Sequence, residues 1–83
     1  MDTSNELRLL LDDTLNLDGR AQSFIMATSL LGSMPEMDSM GVVSILNAIE
    51  ERFGFSIDDD EIDGQVFATF GSLLEFVRQK VSR

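Results

Sequence analysis

The run Asp38-Ser39-Met40-Gly41-Val42-Val43-Ser44-Ile45-Leu46-Asn47-Ala48-Ile49-Glu50-Glu51-Arg52-Phe53-Gly54 carries its own start, face and stop. Asp38 is a strong N-cap, because its short carboxylate can accept hydrogen bonds from the unpaired amides of a first helical turn. Val42, Ile45, Leu46, Ile49 and Phe53 then recur at 3.6-residue spacing and share one face. Gly54 tolerates the left-handed conformation that ends many helices, and Arg52 in the last turn opposes the macrodipole. The stretch predicts an amphipathic helix, and such a helix needs neighbours to bury its apolar face.

Upstream, Thr3 as N-cap and Glu6 three residues later have capping-box spacing. Leu7, Leu10, Leu11 and Leu15 follow at helical intervals, and Asp18-Gly19 is expected to end this first helix. From about Gly19 to Met37 no period is visible. Connections beyond about 12–15 residues are uncommon and usually functional or disordered. Phe24, Ile25, Leu30 and Leu31 need burial, so an ordered loop packed over the bundle is expected, closed by Pro35. Downstream, Asp58 to Asp63 predicts a short third helix or turn ending at Gly64. Thr69 can cap a fourth helix carrying Leu73, Leu74, Phe76 and Val77, with Arg78, Lys80 and Arg83 at its basic end.

No strand pattern competes with these helices. The expectation is all-α: a four-helix bundle with a long first loop and a short third helix, one domain over residues 1–83. The chain has no cysteine and no metal-finger spacing, so a dense core must hold it, and 43% hydrophobic residues allow that. Leu31, Val42, Leu46, Ile49, Ile62 and Leu74 are core candidates.

The net charge of −9 is unevenly spread. Residues 36–63 hold Glu36, Asp38, Glu50, Glu51, Asp58, Asp59, Asp60, Glu61 and Asp63 against Arg52 alone, a net of −8. Such a field repels nucleic acid and anionic membranes and attracts basic protein surfaces. The segment Met1-Asp2-Thr3-Ser4-Asn5-Glu6 is acidic where a secretory signal is basic, and no apolar run approaches the roughly 20 residues of a membrane span. A soluble, cytoplasmic protein is expected.

Histidine, cysteine, tyrosine and tryptophan are all absent. Ser-His-Asp and Cys-His sites are therefore impossible within the chain, and it is not expected to be an enzyme. Ser39 stands out for another reason. At the first helical position its hydroxyl is exposed at the positive end of a helix, where a phosphodiester would meet free backbone amides. Asp-Ser is also an ordinary way to begin a helix, so the pair alone decides nothing. Asp59, Glu61, Asp63, Gly64 and Val66 fit positions one, three, five, six and eight of a calcium loop. Position twelve, which needs a bidentate glutamate, is Phe70, so no EF-hand or other defined metal site is expected, and weak divalent-cation binding on the acidic cluster stays open.

Taken together, Asp38-Ser39-Met40, the helix ending Glu50-Glu51-Arg52-Phe53-Gly54, Ile57 with Asp59, and Ala68-Thr69-Phe70 resemble the acyl and peptidyl carrier protein family along nearly the whole chain. The resemblance implies that Ser39, flanked by Asp38 and Met40, receives 4′-phosphopantetheine from coenzyme A through a phosphopantetheinyl transferase. The arm's thiol then holds the cargo as a thioester, so the chain needs no thiol of its own. Some of the core candidates would line a channel for the cargo, and Met34, Met37 and Met40 near the site would repack readily. The implied partners are an acyl- or aminoacyl-activating ligase and acyltransferase or synthase enzymes with basic docking surfaces, served by a monomer.

Two departures from the family pattern stand out. Glu36 replaces a glycine common three residues before the serine, and Gly41 and Ser44 stand where fatty-acid-synthesis carriers usually have acids. Glu50, Glu51 and Asp59 still match acidic docking positions. On a helical wheel Gly41, Ser44 and Ala48 share an outward strip of small residues that a partner could approach by shape. Asp38-Ser39-Met40-Gly41 also resembles D-alanyl carrier proteins. The segments 35–40 and 58–64 resemble carriers found with exosortase and exopolysaccharide gene clusters. The alternatives are an aminoacyl carrier, an unmodified acidic interaction module and a degenerate calcium-responsive module.

Overall fold

A computed structural model of the chain describes residues 2–82, apart from the side chain of Asp59. Helix α1 spans Thr3–Leu15, α2 spans Ser39–Phe53 and α3 spans Phe70–Val81, with single 3-10 turns at Arg20–Ser23 and Asp59–Glu61. The chain is helical as expected, but the described residues form three α-helices. The expected short third helix is only the second 3-10 turn. Adjacent aspartates explain this, because their side chains compete for backbone groups and repel one another at helical spacing.

The first helix begins one residue earlier than expected. Asp2, not Thr3, is the N-cap, accepting from the Ser4 amide at 3.1 Å and the Ser4 hydroxyl at 2.7 Å. Glu6 makes no capping box with Thr3. It pairs with Arg52, whose Nε donates to Glu6 Oε2 at 2.7 Å, tying the start of α1 to the end of α2. The helix also stops short of Asp18-Gly19: Asn16 takes the left-handed conformation at φ 55° and returns its amide to the Asp12 carbonyl.

The long connection is ordered, as expected, and its backbone bonds show how. Asp12 Oδ1 accepts the Gly19 and Ala21 amides, both at 3.1 Å. Arg8 Nε donates to the Phe24 carbonyl at 3.0 Å, and its guanidinium lies 5.0 Å from the Phe70 ring centroid. The segment 26–31 then runs beside the entry to α3. The amides of Leu30, Leu31, Phe70 and Gly71 donate to the carbonyls of Ala68, Phe67, Thr28 and Met26, at 2.8–3.0 Å. Two residues in the loop escape the burial expected of them. Leu30 is fully buried, while Leu31 opens the turn closed by the Ser33 amide on the Leu30 carbonyl and is 43% exposed. Phe24 takes the core position, while Ile25 is 63% exposed.

Leu7 and Leu11 of α1, Ile45 and Ile49 of α2, and Leu73, Leu74 and Val77 of α3 meet in the core with Leu30, Phe67 and Phe70. Phe24 packs edge-on to Phe70, 6.0 Å between centroids. Each fully buried aliphatic contributes roughly 1.5–3 kcal/mol, so this small set sets the order of magnitude of stability. The stripe read on α2 divides: Ile45 and Ile49 are fully buried, and Val42, Leu46 and Phe53 pack at the margin. Helix α2 starts and stops where the sequence placed it, and α3 starts there but ends at Val81; Arg83, expected at its basic end, lies outside the described residues. Thr69 forms a reciprocal capping box with Ser72, and Gly54 closes α2 at φ 75°.

Candidate functional site

The first turn of α2 is built by its cap. Asp38 is extended, its Oδ1 accepts the Gly41 amide at 2.8 Å and its carbonyl accepts the Val42 amide at 2.9 Å. The amides of Ser39 and Met40 have no acceptor among the described residues. Ser39 is the first helical residue and is exposed. Its hydroxyl therefore sits at the positive pole of a fifteen-residue helix beside two unsatisfied donors, a setting that favours a phosphate ester. The chain has no histidine to act as a base, and the Asp38 carboxylate serves as the cap.

The segment entering this turn is fixed from below. Met37 is buried and its amide donates to the Met34 carbonyl at 3.0 Å. The Glu36 carbonyl oxygen lies over Gly41, well inside contact distance of where a Cβ would be. Gly41 is accordingly buried, which corrects its expected place on an outward strip with Ser44 and Ala48. Ser44 is exposed, and Ala48 is half-buried toward α1. The Glu36 carboxylate pairs with Arg20, and that hydrogen bond holds it below the usual glutamate range.

A cleft of about 300 Å³ runs down the same face of α2 as Ser39, lined by Val43, Leu46, Asn47, Glu50, Ile57 and Ile62. Ser39, Val43, Leu46 and Glu50 follow one another at helical spacing, so the hydroxyl stands at the head of the cleft. Met40 is 73% exposed and Val43 51% exposed, which leaves an apolar apron beside it. Val43 was not singled out in the sequence, although a valine lying off the core stripe was a usable signal. Of the core candidates, Ile49 and Leu74 are buried, and Leu46 and Ile62 line the cleft.

The acidic positions separate. Glu50 borders the cleft and its Oε2 accepts the Ile57 amide at 2.7 Å. Glu51 lies on the other side of α2, in a groove against α1 with Leu9, Asp13 and Arg52. The side chain of Asp59 lies outside the described residues. In the calcium-like stretch, Glu61 binds Lys80 Nζ at 2.8 and 2.9 Å, and Asp63 Oδ1 accepts the Gln65 and Val66 amides. Among the described residues no three His, Cys, Asp or Glu side chains gather as a metal site. No helix among them is long and apolar enough to cross a membrane.

Residues 36–77 match the family model described as a phosphopantetheine attachment site. The solution NMR structure of a holo acyl carrier protein from Nitrosomonas europaea is 47% identical to this chain, with a TM-score of 0.90 and 100% of both chains covered. The chain belongs to the acyl carrier protein family. A comparison with curated proteins gives no match. Like other acyl carrier proteins it is a carrier rather than an enzyme, and its cofactor is covalently attached 4′-phosphopantetheine. The geometry fits that group: an exposed hydroxyl, two free amides for a phosphodiester and an apolar cleft below. When attached, the group supplies the terminal thiol that a cysteine-free carrier lacks.

Proposed function

We propose that this acyl carrier protein bears its 4′-phosphopantetheine on Ser39 and delivers a thioester-bound acyl group between separate enzymes. The observation that carries the reading is the placement of Ser39, exposed at the head of α2 beside the free amides of Ser39 and Met40. Val43, Leu46, Ile57 and Ile62 of the cleft suit an apolar acyl chain, with Asn47 and Glu50 as its polar lining. Asp38 holds the turn, and Met40 offers an apolar contact next to it. Partners are a phosphopantetheinyl transferase, an acyl-activating ligase, and acyltransferase or synthase enzymes whose basic surfaces meet Ser44, Glu50, Glu51 and Asp59. The chain works as one monomeric domain in the cytoplasm.

Incubation with coenzyme A and a broad-specificity phosphopantetheinyl transferase, followed by intact mass, tests the attachment. Wild type gains one phosphopantetheine and Ser39→Ala gains none. Modification of the alanine variant at Ser29, Ser33 or Ser44 overturns the assignment.

A further inference from the structure

We propose that Arg20 and Glu36 form a latch that positions the first turn of α2, so that Ser39 is presented in one geometry to the enzyme that modifies it; the proposal rests on Ser39 being the attachment site. The latch has three joints. Arg20 is held at its base, its Nε donating to the Leu17 carbonyl at 3.2 Å while a second guanidinium nitrogen pairs with Glu36 Oε2. Glu36 Oε1 is shut off from solvent and has no hydrogen-bond partner, so the carboxylate is folded onto the protein with Arg20 as its compensating charge. The Glu36 carbonyl rests on Gly41, whose amide is bound by Asp38 two residues after Glu36. Displacement of the Glu36 peptide and displacement of the turn that begins with Ser39 are therefore one movement.

The asymmetry of charge burial makes the latch testable. Removing Arg20 alone leaves a partly buried carboxylate uncompensated, and its easiest relief is to swing into water. That swing lifts the Glu36 carbonyl away from Gly41 and loosens the turn. A binding surface populated only part of the time weakens apparent affinity by that fraction, without altering chemistry once bound. Replacing both partners by neutral residues leaves no charge to relieve, and the turn stays seated.

The experiment uses the full-length apo carrier, coenzyme A and a broad-specificity phosphopantetheinyl transferase, with Arg20→Gln, Glu36→Gln and the double variant. Arg20→Gln raises the transferase KM for the carrier about threefold to tenfold at unchanged kcat, and the double variant returns it to within about twofold of wild type. In parallel, the Gly41 amide shifts in the NMR spectrum and exchanges faster in Arg20→Gln, and recovers in the double variant. A wild-type KM for Arg20→Gln overturns the latch. So does a double variant as impaired as Arg20→Gln, which would mean that Arg20 itself touches the transferase. If wild type accepts no phosphopantetheine, the attachment reading fails instead, and the Gly41 amide alone decides the latch: an amide that does not move in Arg20→Gln rejects it.

Discussion

The carbonyl oxygen of Glu36 occupies the space in which a side chain on Gly41 would begin. A glycine inside a helix costs up to roughly 1 kcal/mol relative to alanine, so on local grounds Gly41→Ala in the first turn should stabilise α2. Here a methyl group meets backbone that cannot rotate away. Gly41→Ala is expected to destabilise the fold by about 1–3 kcal/mol, measured by urea unfolding. A gain in stability would show that the segment before Ser39 moves aside freely.

Leu30 and Leu31 are chemically identical neighbours with opposite fates, one fully buried and the other 43% exposed. Leu30→Ala should cost about 2–5 kcal/mol by opening a cavity against the core. Leu31→Ser should stay within about 0.5 kcal/mol of wild type. Thermal unfolding of the two variants compares them directly, and equal losses would mean that the loop packs in another register.

Two carboxyls give stability a direction with pH. The Ser4 hydrogen bonds hold the Asp2 carboxyl below its ordinary 3.8, and the Arg20 hydrogen bond holds Glu36 below its ordinary 4.5. Both release protons more readily in the folded chain than in the unfolded one. Their contribution is thus fully present above the ordinary values and fades as pH falls through the lower folded-state values. Relief of repulsion among the other acids acts on both proteins, so as pH is lowered from 5 toward 3 wild type should lose melting temperature relative to Glu36→Gln. An identical profile for that variant would remove Glu36 from the account.

Charge repulsion should respond to salt. Residues 36–63 carry a net −8, and Arg52, the one base among them, is already paired with Glu6 outside the segment. Screening over a Debye length of about 10 Å at 0.1 M should therefore raise the melting temperature as salt increases. A flat response would mean that internal pairs such as Lys80–Glu61 have already neutralised the strain.

Much of this molecule is local and was therefore readable. Asp38, the α2 stripe and Gly54 act within a few turns of one another, as do Thr69 and Ser72, and these two helices start where the sequence placed them. The start of α1 was read one residue late because Asp2 and Thr3 are both competent caps, and the choice falls to Asp2 through the Ser4 hydroxyl. Non-local features were out of reach. A helical wheel of α2 cannot show that loop backbone covers Gly41. Nor could it turn Leu31 outward, since that register comes from pairing with Phe67. At the candidate site, the exposed place of Ser39 at the start of α2 was legible from Asp38 and the stripe that follows. The cleft was not, because Ile57 and Ile62 must fold back against Val43 and Leu46 to make it. Glu36 stood out as a departure, but its pairing with Arg20 carried no signal: their separation follows no period, and their meeting depends on how the loop turns.

The hydrogen bonds joining segment 26–31 to segment 67–71 also determine which part of the chain carries tension. A pull on the two ends passes along α1, through those short cross-links, and out along α3. The stretch between the cross-links, with α2 and Ser39, hangs off that line, coupled to it through the Glu6–Arg52 pair and the shared core. The direct backbone path between the two ends therefore bypasses α2, and Ser39, the proposed attachment residue, lies off it.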